Sequence, residues 1–240
     1  MQLSSIKCTE RFIERLWDVW CIASVIGLWP RFIEPASIFT SHLSIPIPTL
    51  PKELNGLRIV QFSDLHYSQY TSEKFLKRAS KKIASLSPDL IVFTGDLISY
   101  SELSHVEPLQ SFLTSLEAPL GCFAIFGNHD YSEYVSLASD GTIRKVSQHL
   151  PAIMKGFARL FSFKDKTDQS PQVVGPVDEL KPLHALFERS GFTVLHNKTV
   201  QIGKESHLIN LTGLGDIMAG QCLPNKAFEN YNISYPGIVL

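Results

Sequence analysis

From Leu57 onward, short apolar runs alternate with stretches in which apolar residues return every three or four positions. "LRIVQF" is a compact, β-rich run. "SEKFLKRASKKIASL" then sets Phe75, Leu76, Ala79, Ile83 and Leu86 on one helical face, with Lys and Arg on the other. "DLIVFT" is a second apolar run, "VEPLQSFLTSLEAP" a second helical pattern, and "GCFAIF" a third run. Strand, helix, strand, helix, strand at this spacing predicts a βαβαβ unit with parallel strands. Right-handed crossovers then put both helices on one face of the sheet.

Each of the three runs ends in polar residues. The first leads into Ser63-Asp64-Leu65-His66, the second into Gly95-Asp96, the third into Gly127-Asn128-His129-Asp130. Asx and His are ordinary turn formers, so any one of these segments reads equally well as a solvated turn. Their spacing argues otherwise. Asp64, Asp96 and Asn128 follow one another at intervals of 32 residues, one βαβ period. In an open parallel sheet, ligands bind outside the carboxyl ends of the strands, so all three turns converge on one edge. Carboxylate and imidazole without thiolate suit Mn, Fe, Zn or Mg. Asp96 has two oxygens and is placed to bridge two ions about 3.5–4 Å apart. Asp64 and His66 then hold the first ion, and the side-chain oxygen of Asn128 the second. His129 reads as the group that stabilises or protonates a leaving oxygen.

Composition narrows the class. The 240 residues are 44% apolar and 19% charged, which is globular and not disordered. A net charge of -1 leaves no basic field for nucleic acid. Cys8, Cys21, Cys122 and Cys222 are dispersed, with no CxxC, and read as reduced thiols of a cytosolic compartment. All three tryptophans fall in "WDVWCIASVIGLW", edged by Arg11, Arg15 and Arg31. The apolar run Val19 to Trp29 has 11 residues, against roughly 20 for a membrane span. Glu10, Glu14 and Asp18 do not suit a signal peptide. Tryptophan beside arginine suits a helix lying in a membrane interface, with a helix packed on the domain as the alternative.

The plan that follows has residues 1–40 as a membrane-associating helix, 41–56 as a proline-spaced linker, and 57–240 as the main domain. That domain carries an insertion at about 132–178. Within it, "IRKVSQHLPAIMKGFARLFSFK" puts Val146, Leu150, Ile153, Phe157, Leu160 and Phe161 on one helical face. Six cations stand against Asp165 and Asp168 over residues 142–170. The stretch reads as a cover for the core, or as a lid whose apolar face meets acyl chains and whose cations meet phosphate.

The blocks Asp64-Leu65-His66, Gly95-Asp96 and Gly127-Asn128-His129-Asp130 resemble the calcineurin-like metallophosphoesterase superfamily. Its pattern runs D-x-H, GD, GNH-D/E, a lone His, then GHxH. The resemblance implies an α/β fold, the four-layer αββα sandwich, with "FTVLHNKTVQIG" and "LINLTGLGD" leading into the second sheet. It implies two divalent metal ions, Mn2+ first, with Fe, Zn or Mg as alternatives. The N-terminal hydrophobic helix and "LRIVQFSDLHYS" look most like the membrane-associated UDP-2,3-diacylglucosamine pyrophosphatases of lipid A synthesis. That branch implies a UDP-linked diacylated glucosamine substrate, UMP and 2,3-diacylglucosamine 1-phosphate as products, and a peripheral place on the cytoplasmic face of a bacterial inner membrane. No protein partner is evident. The chain departs from the pattern in having no GHxH. His184, His196 and His207 lack the Gly-His context and read as structural. The expectation is therefore a domain incomplete at its C-terminus and inactive at 240 residues. The alternatives are a phosphodiesterase or phosphatase with a soluble substrate, and a metal-poor, non-catalytic scaffold of the same fold.

Overall fold

The computed structural model describes residues 13, 15–22, 24, 37–99, 101, 103–137, 142–145, 176–204 and 206–240, in two compact units, Met1–Ile45 and Pro46–Leu240. In the first unit, residues 15–22 are helical. Trp17 and Trp20 are three positions apart on this helix and stack with ring centroids separated by 5.3 Å. Leu16, Val19 and Ile22 stand with them at the surface, each more than half exposed. Among the described residues, no helix is long and apolar enough to cross a membrane.

The second unit runs β1 (Ile59–Phe62), α1 (Glu73–Ser85), β2 (Leu90–Thr94), α2 (Val106–Thr114), β3 (Cys122–Ile125), β4 (Val135–Leu137) and β5 (Ile143–Lys145). It continues with α3 (Lys181–Arg189), β6 (Phe192–Val194), β7 (Lys198–Lys204), β8 (His207–Gly213), α4 (Pro224–Ala227) and β9 (Gly237–Val239). The first sheet has the order β1-β2-β3-β6, parallel throughout. The second has the order β7-β8-β9, with β7 antiparallel to β8 and β9 parallel to it.

Strand periodicity divides the core. Ile91 and Phe93 of β2, with Cys122 and Ala124 of β3, join one apolar cluster with Leu76 and Ile83 of α1. Leu109, Phe112 and Leu113 of α2 and Leu183, Leu186 and Phe187 of α3 complete that face. The intervening residues Leu90, Val92 and Phe123 point the other way, into a cluster with Ile202, Ile209 and Leu211 of the second sheet. A strand buried on both faces is why β2 reads as an unbroken apolar run. Each fully buried Leu, Ile or Phe side chain among these contributes about 1.5–3 kcal/mol of burial. On the outer face of the second sheet, Thr199 donates to the Ala227 carbonyl at 2.6 Å and Gln201 to that of Asn230 at 2.8 Å. The segment carrying α4 thus forms a thin fourth layer, and the architecture is the α/β sandwich expected.

The insertion differs at its start. Residues 143–145 form a strand and not the first turn of a helix, paired antiparallel with β4 in the register Leu137↔Ile143. Thr142 and Ile143 are β-branched, as is Val135 on the partner, so extended pairing prevails over the helical spacing. The amphipathic face drawn through Val146 to Phe161 lies outside the described residues.

Candidate metal centre

The three strand-end turns are stitched to one another by backbone hydrogen bonds. Asp64 N–H donates to the Gly95 carbonyl at 3.0 Å, and His66 N–H to that of Asp96 at 3.0 Å. Tyr67 N–H donates to the Leu97 carbonyl at 2.8 Å. Asp64, His66 and Asp96 all have left-handed backbone, with φ of 54°, 44° and 61°. Asp and His tolerate that region better than most residues, yet it costs about 1–3 kcal/mol each. Strain at three residues of two successive strand ends, held by surrounding bonds, is what a preformed site looks like. The glycines make the approach possible. A Cβ on Gly127 would overlap the Asp96 carboxylate, and one on Gly95 would overlap the Gly127 backbone.

The side chains then meet. One ligand atom from each of His66, Asp96 and His129 lies within 4.8 Å of the others. His66 Nε2 is 3.8 Å from Asp64 Oδ1 and 3.8 Å from Asp96 Oδ2. That is too long for a hydrogen bond. Two ligand atoms sharing an ion such as zinc at 2.0–2.2 Å stand at most about 4.4 Å apart, so the gap suits a cation. Asn128 donates its amide Nδ2 to the Val135 carbonyl at 2.7 Å, which leaves Oδ1 as the free donor atom of that side chain. The donor set of carboxylate, imidazole and amide oxygen fits a hard or borderline divalent cation.

His129 is the most constrained member. Its N–H donates to Asp96 Oδ1 at 3.2 Å, Tyr134 stacks on its ring at 4.0 Å, and the His66 ring meets it edge-on at 4.7 Å. Burial lowers its pKa, against the pull of the Asp96 carboxylate, so the imidazole is neutral near pH 7. Asp130 is wholly buried, and its two oxygens accept the N–H groups of Asp96, Leu97, Ile98 and Gly127. Burial pushes its carboxyl up to about 7, with the backbone donors opposing.

Asp130 and Tyr134 carry no role in the sequence reading, and neither does Asp216. Asp216 ends the Gly213-Leu214-Gly215 turn after β8, donates its N–H to Tyr131 at 3.0 Å, and has its pKa raised by burial and by the Asp96 charge. Its signal was the same Gly-Asp pair that ends β2. His184, His196 and His207 face other carboxylates. His184 Nδ1 is 2.9 Å from Glu179, His196 Nε2 is 3.5 Å from the other oxygen of Glu179, and His207 Nε2 is 3.2 Å from Glu53. A cleft of about 560 Å³ beside Glu179, His184, His196 and Lys226 shares no residue with the strand-end group.

Residues 57–218 match the calcineurin-like phosphoesterase family. The chain belongs to that family. Membership implies divalent metal ions, and among the described residues His66, Asp96 and His129 form a group that could hold one. Over 218 residues the chain is 40% identical to UDP-2,3-diacylglucosamine pyrophosphatase LpxG of Chlamydia muridarum, covering 89% of this chain and 65% of that relative. It is 39% identical over 216 residues to LpxG of Chlamydia trachomatis serovar D, with the same coverage of 89% and 65%. Uncharacterized metallophosphoesterase YkuE of Bacillus subtilis is 39% identical over 107 residues, 44% of this chain and 37% of that one. The chain therefore spans 65% of the length of the two chlamydial relatives.

Proposed function

We propose that this protein hydrolyses the pyrophosphate of UDP-2,3-diacylglucosamine in lipid A biosynthesis, giving UMP and 2,3-diacylglucosamine 1-phosphate. The identity of 40% over 89% of the chain to a pyrophosphatase of that name carries the reading. In it, Asp64 and His66 would hold one divalent ion, Asn128 a second, and Asp96 would serve both, with Mn2+ the first choice. Bound there, the ions supply the positive charge that offsets charge building on phosphoryl oxygens. His129, fixed by Tyr134 and by its own N–H on Asp96, presents an imidazole that stabilises or protonates the leaving oxygen. Phosphorus NMR of the complete protein with UDP-2,3-diacylglucosamine and Mn2+ tests this directly. Appearance of UMP and the sugar 1-phosphate is the expected result. Hydrolysis confined to a soluble phosphodiester would turn the reading to a generic phosphodiesterase, and metal uptake without any hydrolysis would overturn it.

The same reading places the protein peripherally on the cytoplasmic face of the inner membrane, through residues 1–40. The exposed, stacked Trp17 and Trp20 support it, since tryptophan prefers the interface. Deleting residues 1–35 should move the protein out of the vesicle layer in a flotation assay. Unchanged flotation would shift the anchor to the basic insertion at 132–178.

A further inference from the structure

The structure assigns Asp130 as the positioning residue of this centre: one buried carboxylate that fixes the two turns carrying Asp96, Asn128 and His129 relative to each other. The assignment rests on the metal-centre reading above and deepens it.

Asp130 immediately follows Asn128 and His129, yet its side chain turns away from the site and back beneath the neighbouring turn. Its Oδ2 accepts the N–H of Asp96 at 2.7 Å and of Gly127 at 3.1 Å. Its Oδ1 accepts the N–H of Leu97 at 2.9 Å and of Ile98 at 3.2 Å. Three donors belong to the turn after β2 and one to its own turn, so the side chain is a bridge between two strand ends. The bond is reciprocated, because Asp96 Oδ1 accepts the His129 N–H at 3.2 Å. Each turn therefore holds the carboxylate of the other by its backbone.

The geometry explains the left-handed φ of 61° at Asp96. That conformation aims the N–H groups of Asp96, Leu97 and Ile98 inward at one point, where only an acceptor with two oxygens satisfies all of them along with Gly127. It also turns the Asp96 side chain out toward His66 and His129. Without the bridge, the turn after β2 has no reason to keep an unfavoured backbone, and Asp96 loses its aim. Asn is the informative substitution. It keeps the shape, but replaces one acceptor oxygen by an NH2 group that faces two backbone donors.

The test is Mn2+ affinity of the full chain, read from the free-ion EPR signal well below each variant's unfolding temperature. Leu113→Ala, a core truncation on α2, serves as a stability-matched control. We expect Asp130→Asn to bind Mn2+ weaker by on the order of 10–100-fold, as for other groups that orient metal ligands, and Leu113→Ala to bind as wild type. Equal affinity of the two variants at equal stability would overturn the positioning role while leaving the metal reading intact. Failure of the wild-type chain to bind Mn2+ would overturn both. If Asp130→Asn does not fold, amide exchange of the wild-type chain decides. Protection of residues 96–98 should rise on Mn2+ binding because coupling is reciprocal, and unchanged protection would sink the assignment.

Discussion

Among the described residues stand two histidine–carboxylate clusters of nearly the same composition, and they differ in what their acids are free to bind. At the strand ends, His66, His129, Asp64 and Asp96 approach without closing on one another, with His66 at 3.8 Å from both carboxylates. Beside α3, His184 and His196 share the two oxygens of Glu179, and Glu188 takes the other nitrogen of His184 at 3.5 Å. The difference lies in what holds the acids. Asp96 is positioned by backbone bonds from the neighbouring turn, so one of its oxygens is left for a ligand. Both oxygens of Glu179 face histidine nitrogens, at 2.9 Å and 3.5 Å, while its backbone bridges to Tyr131. Residue type alone does not separate the two clusters. Whether the acid's oxygens are already taken does.

The sharpest way to break the comparison is to remove one acid from each cluster. On the proposed reading, Asp96→Ala should abolish metal binding at both positions together in the complete protein, because Asp96 is the carboxylate proposed to serve both. Metal analysis after dialysis should find near-zero Mn2+ and no turnover, whereas Glu179→Ala should retain the wild-type content. Loss of metal from Glu179→Ala would mean that the second cluster contributes ligands, and retention of one tight ion by Asp96→Ala would argue against a bridge.

A smaller effect separates the members of the first cluster. His129→Ala should keep its metals and lose rate, on the order of 10²–10⁴-fold for a positioned acid–base group. The closeness of its ligand atom to those of His66 and Asp96 makes the measurement decisive. Metal lost in parallel with rate would make His129 a ligand and leave the proton step to another group.

Most of the scaffold was open to reading because strands buried on both faces and helices buried on one leave distinct periods. Leu90–Thr94 and Glu73–Ser85 are the clearest instances. The second sheet carried weaker signals, with mixed burial along β7 that alternation alone does not resolve. The turns carrying Asp64, His66, Asp96, Asn128 and His129 were legible because one βαβ period brings them to a single edge. Asp130 was not, since its part depends on where four N–H groups point, which no spacing encodes. Tyr134 was hidden for the same reason, its stacking on His129 being set by the path of the chain into β4. The strand at Ile143–Lys145 was misread because a run long enough for a helix also contains β-branched residues with a nearby partner.

Within the second cluster, Glu179→Ala should cost stability in place of metal. It strands His184 and His196 together, and a hydrogen bond to a charged group is worth about 1.5–3 kcal/mol. Glu179 keeps 31% of its side-chain exposure, so water replaces part of the loss and about 1 kcal/mol is expected. At this chain length that lowers Tm by roughly 2–4 °C. An unchanged Tm would show that the cluster is decoration on α3 and does not tie it to the loop after β6.

The smallest effect concerns protons. His196 keeps only 10% of its side-chain exposure, and burial lowers its pKa, with Glu179 pulling the other way. The unfolded chain takes up a proton near the ordinary histidine value of about 6.5, while the native state does so only at lower pH. Between those two values the unfolded state binds more protons, so stability rises with pH through the window and is lost as pH falls through it. His196→Gln removes the group from both states and should flatten the dependence of Tm on pH below about 6.5 without altering the plateau's independence of pH above it. The difference between variant and wild type isolates this histidine from the carboxylates that titrate at lower pH. A variant whose Tm falls as steeply as wild type from pH 7 to pH 5 would show that His196 is already paired as a cation with Glu179 in the native state. The second cluster would then be an ion pair, and its contrast with the strand-end site would rest on charge as well as on which oxygens are taken.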